Sequence, residues 1–291
     1  MDAGHNREDT ARPRRLFLDS CSWSRLAECP DAELVTRRIL SSRFDVVVSL
    51  DVLIEVLCTP KRSRRFKLVQ PMKRLMRRIV GAPPVAEVLT MMPSDEPGHP
   101  WGAYFTEVVK HNLGRGSLDS DLFAEATQTA THQRKREKEM NHEARDRFLE
   151  RFEPQDANQS LEEALMVSAR DRELLRTTKA DLRAIARDGA TVTEQRRAGI
   201  LGASSFRCMA VGVMHLARAA CLAPSKGKQR GLPNFTDLGY LSLMPWCGHF
   251  VTDDGQLRTA AEAAKSHVRG IEAEVGSFAD LHRLLIDDQP G

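Results

Sequence analysis

Two short apolar runs of this chain stop at acids: Leu16-Phe17-Leu18 at Asp19, and His249-Phe250-Val251-Thr252 at Asp253-Asp254. Other acids open helical stretches or fall in their first turns. Asp51 and Glu55 follow Val46-Val47-Val48-Ser49, and Asp237 follows Thr236. Carboxylates crowded into one cleft raise one another's pKa, and hard divalent cations relieve that conflict because they take oxygen ligands and keep water. A pair of such ions about 4 Å apart can activate a water and stabilise the leaving oxygen of a phosphodiester. Taken singly, each of these acids is better explained as a helix cap or a turn residue. The set is what points to Mg²⁺ or Mn²⁺.

The second chemical feature is charge. Residues 61–80 (KRSRRFKLVQPMKRLMRRIV) hold Lys61, Arg62, Arg64, Arg65, Lys67, Lys73, Arg74, Arg77 and Arg78 and no acid. The whole chain carries only +3, so the remainder is net −6. A basic patch on a mildly acidic body is the footprint of a polyanionic partner. The alternative is a solvated helix face that binds nothing.

Positioning such residues requires elements at both ends of the chain. Phe44-Asp45-Val46-Val47-Val48-Ser49 is the clearest strand, with three adjacent β-branched residues. A helix follows with Ser49 as its N-cap and Leu50, Leu53, Ile54 and Leu57 as one apolar stripe, ending before Thr59-Pro60. Residues 22–40 have helical spacing, interrupted near Cys29-Pro30. Near the C-terminus the pattern predicts a helix from Thr236-Asp237, a strand at 248–252, a helix over 256–267, a short strand at 272–275 and a helix over 278–286. Strands alternating with helices imply a parallel sheet, whose carboxyl rim gathers acids that are distant in sequence.

The middle reads differently. Five prolines and a glycine in residues 82–100 predict loop. Residues 101–112 form an amphipathic pattern, and residues 120–188 are helix-prone. Thirteen basic and thirteen acidic residues between 134 and 188 mark solvated, self-supporting helices. Residues 203–223 read as a buried helix of small residues, followed by the loop Lys226-Gly227-Lys228-Gln229-Arg230-Gly231.

Composition excludes several classes. With 291 residues, 41% hydrophobic and 29% charged, the chain is globular. No uncharged apolar run is long enough for a bilayer, and the polar first dozen residues lack a secretory signal's apolar middle. Six cysteines without a CxxC pair indicate neither a disulfide framework nor a zinc module. The expected location is the cytoplasm. Cys247-x-His249 supplies too few ligands for zinc, and His132 and His142 lie in the charged stretch and are expected to face water. Asn112-Leu113-Gly114-Arg115-Gly116 lacks the Lys-Ser/Thr of a phosphate loop, and no GxSxG elbow occurs.

On these residues the chain resembles the PIN-domain family of metal-dependent ribonucleases, which includes the toxins of VapBC-type toxin–antitoxin pairs. Leu16-Phe17-Leu18-Asp19-Ser20 looks like the family's first strand and first acid. Val46-Val47-Val48-Ser49 with Leu53-Ile54-Glu55-Val56-Leu57 looks like its second strand and glutamate-bearing helix. Thr236-Asp237-Leu238 resembles the segment of the third acid, and Phe250-Val251-Thr252-Asp253-Asp254 its hydrophobic–Thr–x–Asp ending. The resemblance covers residues 14–60 and 232–286. It implies an α/β fold with a small parallel sheet between helices, Mg²⁺ or Mn²⁺ as cofactor, RNA as substrate, and hydrolysis by a metal-bound water. It further implies Asp19, Glu55, Asp237 and Asp254 as metal-binding acids, with Thr252 orienting one of them.

Residues 61–231 then form a basic segment and a mainly helical insertion unlike the compact family, and residues 1–13 a flexible tail. Asp51 competes with Glu55 one turn away, and Asp253 with Asp254. The family's third strand has only residues 85–89 as a weak candidate. Single-stranded DNA is a possible substrate and a cognate inhibitor protein a possible partner, while no oligomeric state is assigned. The alternative from another class is a non-catalytic PIN-like scaffold that binds nucleic acid or a protein through its insertion.

Overall fold

The computed structural model of the chain describes residues 14–42, 44–59, 61–83, 85–88, 101–114, 204–222 and 235–287. The expected tail at 1–13, the helix-prone stretch with His132 and His142, and the loop from Lys226 lie outside the described residues.

Five short strands make one parallel sheet. They are β1 (Arg15–Leu18), β2 (Asp45–Ser49), β3 (Ile79–Ala82), β4 (His249–Val251) and β5 (Glu274–Gly276), in the spatial order β3-β2-β1-β4-β5. Leu16 pairs with Val46 on one side and His249 on the other, and Phe17 with Val47 and Phe250. Leu16, Phe17, Leu18, Val46, Val48 and Phe250 are fully buried. Strands covered on both faces read as continuous apolar runs, and these do. Phe17 stacks on Phe250 with ring centroids 5.0 Å apart and tilts against Tyr240 at 5.5 Å.

Helices α1 (Ser20–Glu28) and α2 (Ala32–Ser41) link β1 to β2, while α3 (Leu50–Leu57) and α4 (Arg62–Arg74) link β2 to β3. Next come α5 (Val85–Val88), α6 (Trp101–Gly114), α7 (Ser204–Leu222), α8 (Phe235–Gly239) and a 3₁₀ segment, Tyr240–Trp246. The chain ends with α9 (Gly255–His267) between β4 and β5 and α10 (Phe278–Ile286) after β5. One layer joins α1, α2, α4 and α10; another joins α7, α9 and the 3₁₀ segment. None of the described helices is long and apolar enough to cross a membrane.

The predicted elements of both ends are present within a few residues of their expected bounds. The third strand is a correction. It is Ile79–Ala82, at the end of the basic stretch, whereas Val85–Val88 is a turn of helix. Its Gly81 is required by packing: a Cβ there would overlap the Phe105 carbonyl of α6, and the Gly81 amide donates to Thr106 Oγ1 at 2.8 Å.

From β1 the chain moves outward through β2 to β3, then returns to the opposite side of β1 with β4 and β5. The β1–β4 junction is therefore the topological switch point, and ligands of open parallel sheets bind in the crevice beyond the strand ends there. Asp19 and Asp254 follow these two strands.

Candidate functional site

Asp19 adopts extended backbone (φ −71°, ψ 175°) and caps α1, its Oδ1 accepting the Ser22 amide at 2.7 Å. The Asp19 amide and the Ser22 hydroxyl both donate to the Val251 carbonyl, at 3.2 and 3.1 Å, which ties the start of α1 to the end of β4. Thr252 is fully buried. Its hydroxyl donates to Asp19 Oδ2 at 2.6 Å and accepts the Asp254 amide at 3.1 Å. One side chain thus joins acids 235 positions apart in sequence. Asp254 caps α9, and both of its bonds, from the Gln256 and Leu257 amides at 2.8 and 2.9 Å, fall on Oδ1.

Neighbouring acids have structural duties. Asp253 Oδ1 accepts the Phe278 amide at the start of α10 (3.0 Å), and its Oδ2 lies 3.5 Å from Arg25 Nε. Asp51 Oδ2 accepts the Val85 amide at 2.6 Å, which ties α3 to α5. Glu55, one turn further along α3, receives the Tyr240 hydroxyl at 3.4 Å. Asp237 lies half-buried in the first turn of α8.

The acids act electrostatically on two shared neighbours, Tyr240 and Cys21. Burial pushes the Tyr240 phenol well above its ordinary value, and Glu55, Asp51, Asp237 and Asp19 push in the same direction. Cys21 reaches solvent, yet the protein around it lifts its thiol to about 11, reinforced by Asp19, Asp237, Asp254 and Glu55. All four acids of the sequence reading therefore act on Cys21. For Asp19 itself, desolvation raises the pKa against the lowering effect of the Thr252 and Ser22 hydrogen bonds. A buried carboxylate held in this way favours a compensating positive charge.

The donor set suits a hard cation, since the candidate ligand atoms of Asp19, Glu55, Asp237 and Asp254 are all carboxylate oxygens. Mg²⁺–O distances of about 2.1 Å put adjacent ligand oxygens near 3 Å and opposite ones near 4 Å apart. Among the described residues, no three of these acids bring oxygens within 4.8 Å of one another. As they stand, at most two carboxylates could ligate one ion directly, with water filling the rest, which is the coordination Mg²⁺ prefers. The residues fit the cation.

The basic residues sit elsewhere. From the N-cap of α4 onward, Lys61, Arg62, Arg64, Lys67, Arg74 and Arg77 are exposed, while Arg65, Lys73 and Arg78 are half-buried. Arg64 meets Glu28 at 3.7 Å, Arg65 donates to the Leu57 and Thr59 carbonyls at 3.5 and 3.2 Å, and Arg78 meets Asp45 at 3.5 Å. Glu28 ends α1, Leu57 ends α3 and Asp45 begins β2. The Glu28 and Asp45 anchors lie at the amino-terminal edge of the sheet, away from Asp19 and Asp254 at its carboxyl edge, whereas Arg65 reaches Leu57, two residues beyond Glu55 on α3. At 1.5 Å per residue, the nine-residue α1 places Glu28, the partner of Arg64, about 13 Å from Asp19.

Ser22, Cys21 and Tyr240 went unnoticed in the sequence. Ser22 had a local signal, its position three residues after a capping Asp. Tyr240 had none, because its relation to Glu55 exists only in the folded chain. Cys247 and His249 are buried, and the Cys247 thiol donates to the Leu243 carbonyl at 3.1 Å, in keeping with a core role. No family model, curated protein or solved structure matches this chain.

Proposed function

We propose that this chain is a PIN-like, metal-dependent endoribonuclease of the cytoplasm, with Asp19, Glu55, Asp237 and Asp254 as its metal-holding acids. The observation that carries the reading is the hydrogen-bonded link Asp19–Thr252–Asp254, which joins two acids from opposite ends of the chain at the switch point of a parallel sheet. Bound there, Mg²⁺ or Mn²⁺ would supply positive charge that lowers the pKa of a water and steadies the leaving oxygen of a phosphodiester. Thr252 fixes the distance between Asp19 and Asp254 and keeps Asp19 Oδ2 accepting. Tyr240 holds Glu55.

The basic surface then binds the polyanion away from the reacting bond. Several nucleotides span the roughly 13 Å between Asp19 and the Arg64–Glu28 contact. Phe66 is 54% exposed among these cations and offers a ring on which an unpaired base can stack. Both features favour single-stranded RNA several nucleotides long.

The test is cleavage of labelled single-stranded RNA, with single-stranded DNA of the same sequence in parallel, in Mg²⁺, Mn²⁺ or EDTA. Wild-type protein should cut RNA only with metal, and Asp254→Asn, which keeps the helix cap, should lose at least 100-fold in rate. Cutting that persists in EDTA, or in Asp254→Asn, refutes the assignment. No cutting and no metal-induced rise in melting temperature would leave the non-catalytic scaffold.

A further inference from the structure

A separate group of donor atoms lies at the corner between α1 and α2. Cys29 follows the last residue of α1, Asp31 precedes α2, and His282 reaches across from α10. One ligand atom from each lies within 4.8 Å of the other two, and Asp31 Oδ2 is 3.7 Å from His282 Nε2. Asp31 occupies the N-cap position of α2 but makes no side-chain cap bond. An N-cap Asp ordinarily accepts an amide of the first turn; this one turns its carboxylate to the imidazole instead. Cys29 is a half-buried free thiol. The Phe278 ring lies 6.4 Å from that of His282, on the same side of α10.

We propose that Cys29, Asp31 and His282 form a Zn²⁺ site with three protein ligands and a fourth position open to water. One sulfur, one imidazole nitrogen and one carboxylate oxygen match a borderline-soft ion and not the hard cations of the acidic rim. Tetrahedral bonds of about 2.3 Å to sulfur and 2.0–2.1 Å to nitrogen and oxygen require ligand atoms roughly 3.3–3.6 Å apart. The Asp31–His282 separation of 3.7 Å is within a few tenths of an ångström of that. On binding, the Cys29 thiol releases its proton to solvent and the thiolate sulfur ligates the ion. The ion would staple α10, the last helix, to the α1–α2 corner. It lies a full length of α1 from Asp19, so it does not depend on the nuclease reading.

The probe is Co²⁺, titrated into the full chain after removal of metal with EDTA, followed by Zn²⁺. Wild-type protein should develop a sulfur-to-cobalt charge-transfer band saturating at one equivalent, which Zn²⁺ then removes. Zn²⁺ should also raise the melting temperature. Cys29→Ser should abolish the band, and His282→Gln and the exposed-site variant Asp31→Asn should each weaken Zn²⁺ binding at least tenfold. Asp254→Asn should bind as wild type does. Absence of the band in wild type, or its survival in Cys29→Ser with unchanged Zn²⁺ affinity in Asp31→Asn, would overturn the proposal.

Discussion

Replacing Asp19 by Asn and by Ala separates its capping role from its charge. Asp19 is 3% exposed and receives the Ser22 amide and the Thr252 hydroxyl. Burial raises its folded pKa above the unfolded 3.8. Its contribution to stability is therefore complete below that value and is lost as pH rises through the folded pKa, so ionising this buried group costs stability in metal-free protein. Asn keeps the cap, since Asn and Asp are equivalent N-caps, and removes the charge. It obliges the Thr252 hydroxyl to redirect its hydrogen, a loss of about 1 kcal/mol that the vanished charge offsets. Asp19→Asn should accordingly melt within a few degrees of wild type in EDTA.

Asp19→Ala removes the cap, about 1 kcal/mol, and strands the buried Thr252 hydroxyl, about 1–3 kcal/mol more. The vanished charge offsets about 1 kcal/mol here as well, so at ~2–4 °C per kcal/mol the melting temperature should fall by roughly 2–12 °C. Mg²⁺ at ten times its dissociation constant should add about 1.4 kcal/mol to wild type and nothing to either variant. Thermal melts in EDTA and in MgCl₂ measure all three. If Asn destabilises as much as Ala, or still responds to Mg²⁺, the link between buried charge and cation is wrong.

Other expectations follow from single contacts. Burial lowers the His249 pKa below 6.5 despite Glu274 Oε2 at 3.2 Å, so its stabilising contribution is present above pH 6.5 and lost as pH falls through the lowered value; melts from pH 7.5 to 5 should show a decline that His249→Gln flattens. Gly81→Ala should cost about 1–3 kcal/mol in denaturant titrations, because α6 must shift away from β3. Charge reversal at Arg62 and Lys67, both exposed, should weaken binding of long RNAs and flatten their salt dependence, while leaving cleavage of fragments too short to span from Asp19 to α4 unchanged. An equal effect on short fragments would place the basic surface beside the acids.

What the sequence disclosed and what it hid follow one physical division. Asp19 and Asp254 were legible because a strand that must be apolar on both faces ends visibly at a charge, and Thr252 was legible by its spacing from Asp254. Glu55 and Asp51 could not be separated, since both lie on one side of α3 and differ only in partners brought by α5 and the 3₁₀ segment. β3 was hidden because Ile79-Val80-Gly81-Ala82 is short and follows directly on Arg77 and Arg78, so no alternation or turn announces it. The pairing of Arg78 with Asp45 depends on strand register, and the Cys29–Asp31–His282 group joins segments about 250 residues apart.

Helix capping was the bland explanation for each acid, and in this fold it supports the metal reading instead of competing with it. Asp19 and Asp254 are both N-caps, and Asp51 and Asp237 lie in first turns. The N-termini of α1 and α9 therefore set their partial positive charge beside Asp19 and Asp254, relieving part of the repulsion between these carboxylates. A cap engages only part of a carboxylate: Asp254 spends Oδ1 on two amides, so Oδ2 lies outside those bonds. The same amides that let the metal-free chain tolerate its clustered charge also fix the orientation of the oxygens a cation would meet. A capping acid at the end of a parallel strand is thus preorganised as a ligand. The acids outside this arrangement serve elsewhere, as Asp45 does with Arg78 at the opposite edge of the sheet.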